Sequence, residues 1–269
     1  MNAISVQNVH KHYGELHVLR GLTLEINKGE CVILLGANGC GKSTLMRCLN
    51  GLAPHDKGDI TIFGEPLTHL SKPKLRQLRR KVGVVFQQFN LVQNVSVFQN
   101  VLYGAMGQQR FGLLSSLACL ASNELRERAM ASLERVGLAN KAHADCRELS
   151  GGQQQRVAIA RTLMQDAEII IADEPVASLD PKAGREIMDL LLDVVAERQL
   201  TVLCTLHQLE LAQQYGDRIV GLKAGQIVLD SPRQQVALAT MQKLYQGDVR
   251  VDQTNNTPVD DTPAISSTR

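Results

Sequence analysis

The chain opens on two runs of alternating apolar and polar residues, ISVQNV (4–9) and LTLEI (22–26), the period-two signature of half-buried strands. CVILLG (31–36) breaks the alternation. It is apolar until its last residue, as in a strand covered on both faces, and it runs into a glycine-rich loop. KSTLMRCLNGL (42–52) then takes up helical spacing. DITIFG (59–64) predicts a further strand, and 72–81 a basic helical stretch. From 96 to 141 the pattern turns mainly helical, and NELRERAMASLERVGL (123–138) carries the apolar stripe of an amphipathic helix. Strands and helices alternate after that: EIIIAD (168–173), a helix over 181–198, LTVLCTL (200–206), a helix over 208–215 and DRIVGL (217–222). KAGQIVLDS (223–231) predicts a last, hairpin-like strand.

This order is the α/β signature of a mostly parallel sheet, with a helical insert between two α/β halves and short alternating strands in front. We expect one domain over 1–246, with a helical subdomain at roughly 88–165. The polar remainder, GDVRVDQTNNTPVDDTPAISSTR (247–269), is expected to be disordered. No internal repeat is visible.

Composition narrows the classes. A hydrophobic content of 44% in 269 residues supports a real core, and a net charge of +2 argues against nucleic-acid binding through a broad basic surface. MNAISVQNVHKHY has no apolar stretch behind a basic start, so no secretory signal is expected. No run reaches the ~18 apolar residues of a membrane span. The charge-free stretch 82–109 is studded with Gln and Asn. Six cysteines (Cys31, Cys40, Cys48, Cys119, Cys146, Cys204) lack any CxxC spacing and read as cytosolic thiols, not as a metal site or disulfide framework.

GANGCGKST (36–44) fits G-x-x-x-x-G-K-[ST] in the required context of apolar strand, loop and helix. Its glycines let successive N–H groups face phosphate, and the positive end of the following helix adds to that field. Lys42 is expected to reach the β- and γ-phosphates, and the Ser43 hydroxyl to bind Mg2+. IIIADEP (169–175) ends an apolar strand on two carboxylates at the sheet edge where α/β proteins bind ligands. Asp173 suits the Mg2+ shell, and Glu174 suits polarising an attacking water. LSGGQQQR (149–156) looks like a second loop feeding a helix and exposing N–H groups to phosphate.

With these motifs in order, the chain resembles the ATP-binding subunit of ABC transporters over about 4–244. LSGGQ (149–153) resembles the family's signature. VVFQQ, with Gln87, is similar to its Q-loop, ASLD (177–180), with Asp180, to its D-loop, and TLHQ, with His207, to its switch histidine. Tyr13 in HKHYG is placed like the aromatic that stacks on adenine. Singly, Gln87 would read as a surface glutamine, His207 as a helix-start histidine and Tyr13 as loop packing; order and spacing make the match.

The resemblance implies an α/β P-loop NTPase core with an antiparallel β subdomain and an inserted helical subdomain. It implies ATP and Mg2+ as cofactors, with Tyr13, Gly36, Ala37, Asn38, Gly39, Cys40, Gly41, Lys42, Ser43 and Thr44 on the nucleotide. It implies Glu174 as general base, His207 holding the γ-phosphate and water, and Gln87 touching metal and water beside Ser43 and Asp173. Two copies would close head to tail, so that Ser150, Gly151, Gly152 and Gln153 of one meet the ATP held by the other, with Asp180 linking the two sites. Permease subunits and, through them, a periplasmic or extracellular substrate-binding protein are the implied partners. The implied place is the cytoplasmic face of the inner membrane, peripherally bound. Ala37 and Cys40 depart from the commonest family residues, proline and serine, at variable positions. An accessible Cys40 is expected to make activity sensitive to thiol alkylation.

VFQNVLYGAMG, LERVGLANKA, LSGGQQQRVAIARTLMQ, ADEPVASLDP and LHQLELAQQYGDRIVGLKAGQIV together are similar to ATPases of phosphonate importers. The uncharged stretch 111–123 reads either as core packing or as part of a groove for a permease coupling helix. Importers of polar amino acids or phosphite are alternatives, and so are soluble ABC ATPases acting on ribosomes or DNA. Against the last stand a single set of motifs, no heptad insert and no basic arm. Long regulatory extensions like those of methionine and maltose importers are not evident. Substrate identity itself is not written in these residues.

Overall fold

The computed structural model describes residues 1–68, 70–107 and 121–245. The uncharged stretch from 111 to 120 and the tail from 247 lie outside them. Strands β1 (Asn2–Tyr13), β2 (Leu16–Asn27), β4 (Lys57–Ile62) and β5 (Glu65–Pro66) form an antiparallel sheet in the order β2-β1-β4-β5. A second, six-stranded sheet has the order β10-β9-β3-β8-β7-β6. Its strands are β3 (Cys31–Leu35), β6 (Val82–Phe86), β7 (Ile169–Asp173), β8 (Thr201–Thr205), β9 (Arg218–Lys223) and β10 (Gln226–Pro232). All its pairings are parallel except that of β10 with β9. The expected parallel core and antiparallel companion are therefore both present.

The continuous apolar strands are explained by what covers them. Side chains alternate across a sheet, and here each face meets a different core. Ile33, Leu35, Ile170, Ala172, Val202 and Cys204 pack among helices α5 (Gly151–Gln165) and α6 (Pro181–Arg198) and the helical insert. Val32, Leu34, Ile169, Ile171, Leu203 and Val220 pack against the antiparallel sheet and α1 (Lys42–Leu49). Each such buried aliphatic side chain is worth about 1.5–3 kcal/mol.

The insert comprises α3 (Val97–Leu102) and α4 (Asn123–Arg135), which pack on α5. Ser96 and Ser122 cap α3 and α4 by accepting from Gln99 N and Leu125 N. Helix α2 (Lys72–Arg80) precedes β6, a strand that the sequence pattern did not reveal. Two short helices, α7 (Leu209–Gln214) and α8 (Leu238–Lys243), complete the described chain. None of its helices is long and apolar enough to cross a membrane.

Candidate active site at the carboxyl edge of the parallel sheet

The loop 36–44 joins β3 to α1, and two glycines in it have steric reasons. A Cβ on Gly36 would lie 2.3 Å from Leu222 O and 2.6 Å from Cys40 Sγ; Gly41 has φ +113° and would meet Leu19 Cδ2 at 2.9 Å. Gly41 occupies the N-cap of α1 without a side-chain cap, and the first turn holds no acidic residue. The helix thus presents bare N–H groups and an uncompensated positive end to the cleft, as phosphate binding requires. Lys42 is 5% exposed, and its Nζ donates to Gly36 O (2.8 Å) and Ala37 O (3.3 Å). Its ammonium therefore sits inside the loop's curve.

The cleft over this loop measures about 320 Å3 and is lined by Tyr13, Asn38, Gly39, Ser43, Thr44 and Glu174, among others. Leu16 and Val18 of β2 also line it, a contribution invisible in the motif but suited to the face of a base. Tyr13 stands half exposed at its mouth, with Lys11 Nζ 5.3 Å from the ring centroid. A larger cleft of about 680 Å3 is lined by Lys72, Arg76, Arg79, Arg80, Tyr103 and Arg161, among others, with no carboxylate among its described lining residues.

Beside the loop, β7 ends on Asp173, and Glu174 turns out of the sheet with φ +50°. Glu174 Oε1 meets His207 Nε2 at 2.5 Å, so the two expected water-handling residues are in contact. Thr205, the last residue of β8, links Asp173 and Glu174 beneath this contact. Its buried hydroxyl accepts from Glu174 N (2.8 Å) and donates to Asp173 Oδ1 (3.0 Å). Nothing in the sequence pattern singled out Thr205.

Tyr245 was equally hidden. Its hydroxyl accepts from Gly36 N and donates to Leu206 O, each at 3.4 Å, tying the C-terminal end of the described chain to the loop. Burial pushes its pKa above the ordinary tyrosine value.

The hard oxygen donors expected for Mg2+ are the Ser43 hydroxyl, which lines the cleft, and the Asp173 carboxylate at the end of β7. Among the described residues no group of three or more His, Cys, Asp or Glu could hold a metal. One hydroxyl and one carboxylate are a donor set that suits Mg2+, which takes one or two carboxylates and completes its shell with phosphate and water. Gln87 follows Phe86, which pairs with Asp173, so it leaves the same sheet edge; its side chain is exposed and does not line the cleft.

The signature residues do not join this cleft. Ser150 is the N-cap of α5 and forms a capping box: its Oγ accepts from Gln153 N (3.4 Å), and Gln153 Oε1 accepts from Ser150 N (3.1 Å). Asp180 caps α6, accepting from Lys182 N and Ala183 N at 3.1 and 2.9 Å.

Cys40 requires a correction. It is 5% exposed, with Sγ packed beneath Gly36, so the accessibility on which alkylation sensitivity depended is not there. The five described cysteines are all buried. Burial pushes Cys31 up to about 12 and Cys48 and Cys146 up to about 11, away from the reactive thiolate.

Fold and site together define a P-loop ATPase cassette with an inserted helical subdomain. The chain belongs to the ABC transporter family, as one of its ATP-hydrolysing subunits: the family model described as ABC transporter matches residues 19–177. A phosphonates import ATP-binding protein of Frankia casuarinae is 47% identical over 230 residues, 86% of this chain and 90% of its own. A phosphate-import ATP-binding protein of Mycolicibacterium smegmatis is 46% identical over 243 residues, covering 90% and 92%. A solved dimeric ATP-binding cassette in a post-hydrolysis state, bound to ADP and Pi, has a TM-score of 0.73 and 34% identity, covering 86% of this chain and 98% of that one.

Proposed function

We propose that the chain is the ATPase subunit of a phosphonate importer, working as a head-to-tail dimer on the cytoplasmic face of the membrane beneath a permease. The observation that carries the ATPase reading is the Glu174–His207 contact beside the Lys42 loop. In this reading the loop amides and Lys42 grip the β- and γ-phosphates, and Tyr13 stacks on the base. Ser43 and Asp173 would hold Mg2+, which would supply charge neutralisation for the phosphates. Glu174 takes the proton of the attacking water while His207 holds that water in line. Gln87, exposed at the Asp173 edge, reports the state of the site to the permease. Ser150, Gly151, Gly152 and Gln153 complete the partner's site, and Asp180 links the two.

Glu174→Gln should keep ATP affinity but accumulate a closed dimer and lower turnover on the order of 100-fold or more. Gel filtration with ATP, alongside phosphate release, reads both. Near-normal turnover would remove the general-base assignment.

Support for the cargo comes from relatives named for phosphonate import. The relative named for phosphate import favours a second reading, phosphate itself. In this chain's own residues nothing touches the cargo, which meets the permease and the substrate-binding protein. A deletion strain without another phosphonate importer should fail to grow on a phosphonate as sole phosphorus source yet grow on phosphate. Failure on phosphate alone would favour the second reading.

A further inference from the structure

We propose that Thr205 is a positioning residue of the ATPase site, its one hydroxyl fixing the Glu174 main chain and the Asp173 carboxylate as a unit. The inference rests on the roles given above to those two carboxylates.

Thr205 is fully buried at the end of β8, paired with Leu34 of β3 on one side and Asp173 of β7 on the other. A hydroxyl in such a place is costly unless it is bonded. Here its donor and an acceptor are both used, on adjacent residues of the neighbouring strand end: it gives to Asp173 Oδ1 and receives from Glu174 N–H. The other acceptor in reach, Ala172 O, is farther away at 3.5 Å.

Glu174 needs such an anchor. Its φ of +50° lies in the left-handed region, which non-glycine residues seldom adopt and keep only where the surroundings over-determine it. That turn aims the carboxylate at His207 and into the cleft over Lys42 and Ser43. Relaxation of the Glu174 backbone to the ordinary right-handed or extended region would swing the carboxylate away. It would also release the Asp173 oxygen held by the same hydroxyl. Because His207 lies two residues beyond Thr205, one side chain indexes the ends of both strands that carry the chemistry.

The test uses the full-length protein and the variants Thr205→Val, which keeps the shape and loses the hydroxyl, and Thr205→Ser, which keeps the hydroxyl. Thr205→Val should lower kcat on the order of 10–100-fold, with KM for ATP within about threefold. In the nucleotide-free protein, amide hydrogen exchange should speed up at Asp173 and Glu174 in the Val variant and stay near parental in the Ser variant. Thr205→Ser should retain kcat within about threefold. Should the Val variant not fold, the Ser variant decides alone, and a loss of about tenfold or more overturns the proposal. Parental kcat or unchanged exchange in a folded Val variant also overturns it. Glu174→Gln run in parallel separates the failures. If Glu174→Gln stops turnover and Thr205→Val does not, only the positioning role falls; if Glu174→Gln turns over normally, the reading beneath it falls.

Discussion

In the loop 36–44 the lysine is buried and its ammonium is held by two carbonyls of the same loop, whereas in the loop 149–153 the serine is exposed and bonds only its own helix. Both precede a helix and both carry glycines, yet they solve different problems. The first is locked into the core: Leu222 O and Cys40 Sγ fill the space where a Gly36 side chain would stand, and Tyr245 reaches its first amide. The second closes on itself through a capping box, which lets an exposed helix start be well formed without help from the rest of the chain. The Gly151 and Gly152 amides, at the first two helical positions, have no intrahelical partner and remain presentable to another molecule. In the proposed dimer, a chain with one internal and one outward-facing loop would supply half of each shared site. That is the physical content of the dimer proposed above.

The sharpest way to break this contrast is to disable each loop in turn. Lys42→Ala removes the buried charge from the first loop and should abolish hydrolysis and weaken ATP binding on the order of 10–100-fold. Ser150→Arg places a bulky cation on the second, away from the chain's own cleft. It should leave ATP affinity within about threefold while lowering turnover on the order of 100-fold. Nucleotide binding at low protein concentration, set beside phosphate release at high concentration, measures the two effects separately. Equal losses of ATP affinity in the two variants would mean that both loops serve the same nucleotide.

How much of this was legible in the residues follows from how local each feature is. The loop 36–44 and the strand end at 173–174 are set by neighbours in sequence and lie where the pattern put them; the caps of α5 and α6 are as local, yet no cap was read from the sequence. Strand β6 escaped because VGVVF is continuously apolar inside a long charge-free stretch, where a strand and a buried helix look alike. Strand β1 extends to Tyr13 through QNVHKHY, whose alternation is scrambled by irregular pairing between Val6 and His12. Thr205 could not be seen at all. Its role depends on the parallel register that sets it opposite Asp173, a residue distant in sequence, and a threonine near a strand end is ordinary on its own. The Cys40 expectation failed for the same reason: whether its thiol faces solvent depends on Gly36 and the loop's curl, not on the motif.

The smallest expected effect tests whether the second loop's side chains serve only the fold. Gln153→Ala removes one half of the capping box, leaving Ser150 Oγ to accept from the residue 153 amide. A lost cap costs about 0.5–1 kcal/mol, which in a chain of this size lowers Tm by about 1–4 °C. ATP affinity, governed by the first loop, should stay within about twofold of the parent. Turnover discriminates between the two duties of Gln153. If the side chain only caps, the rate falls by no more than the small stability change can explain. If it also meets the partner's nucleotide, the rate falls tenfold or more with the same small loss of Tm, because a contact made only in the closed dimer is absent from the unfolding equilibrium of the separate chain. Thermal unfolding without nucleotide and steady-state hydrolysis on the same preparation would separate these outcomes. They would also show whether the exposed loop is self-contained in energy as well as in geometry.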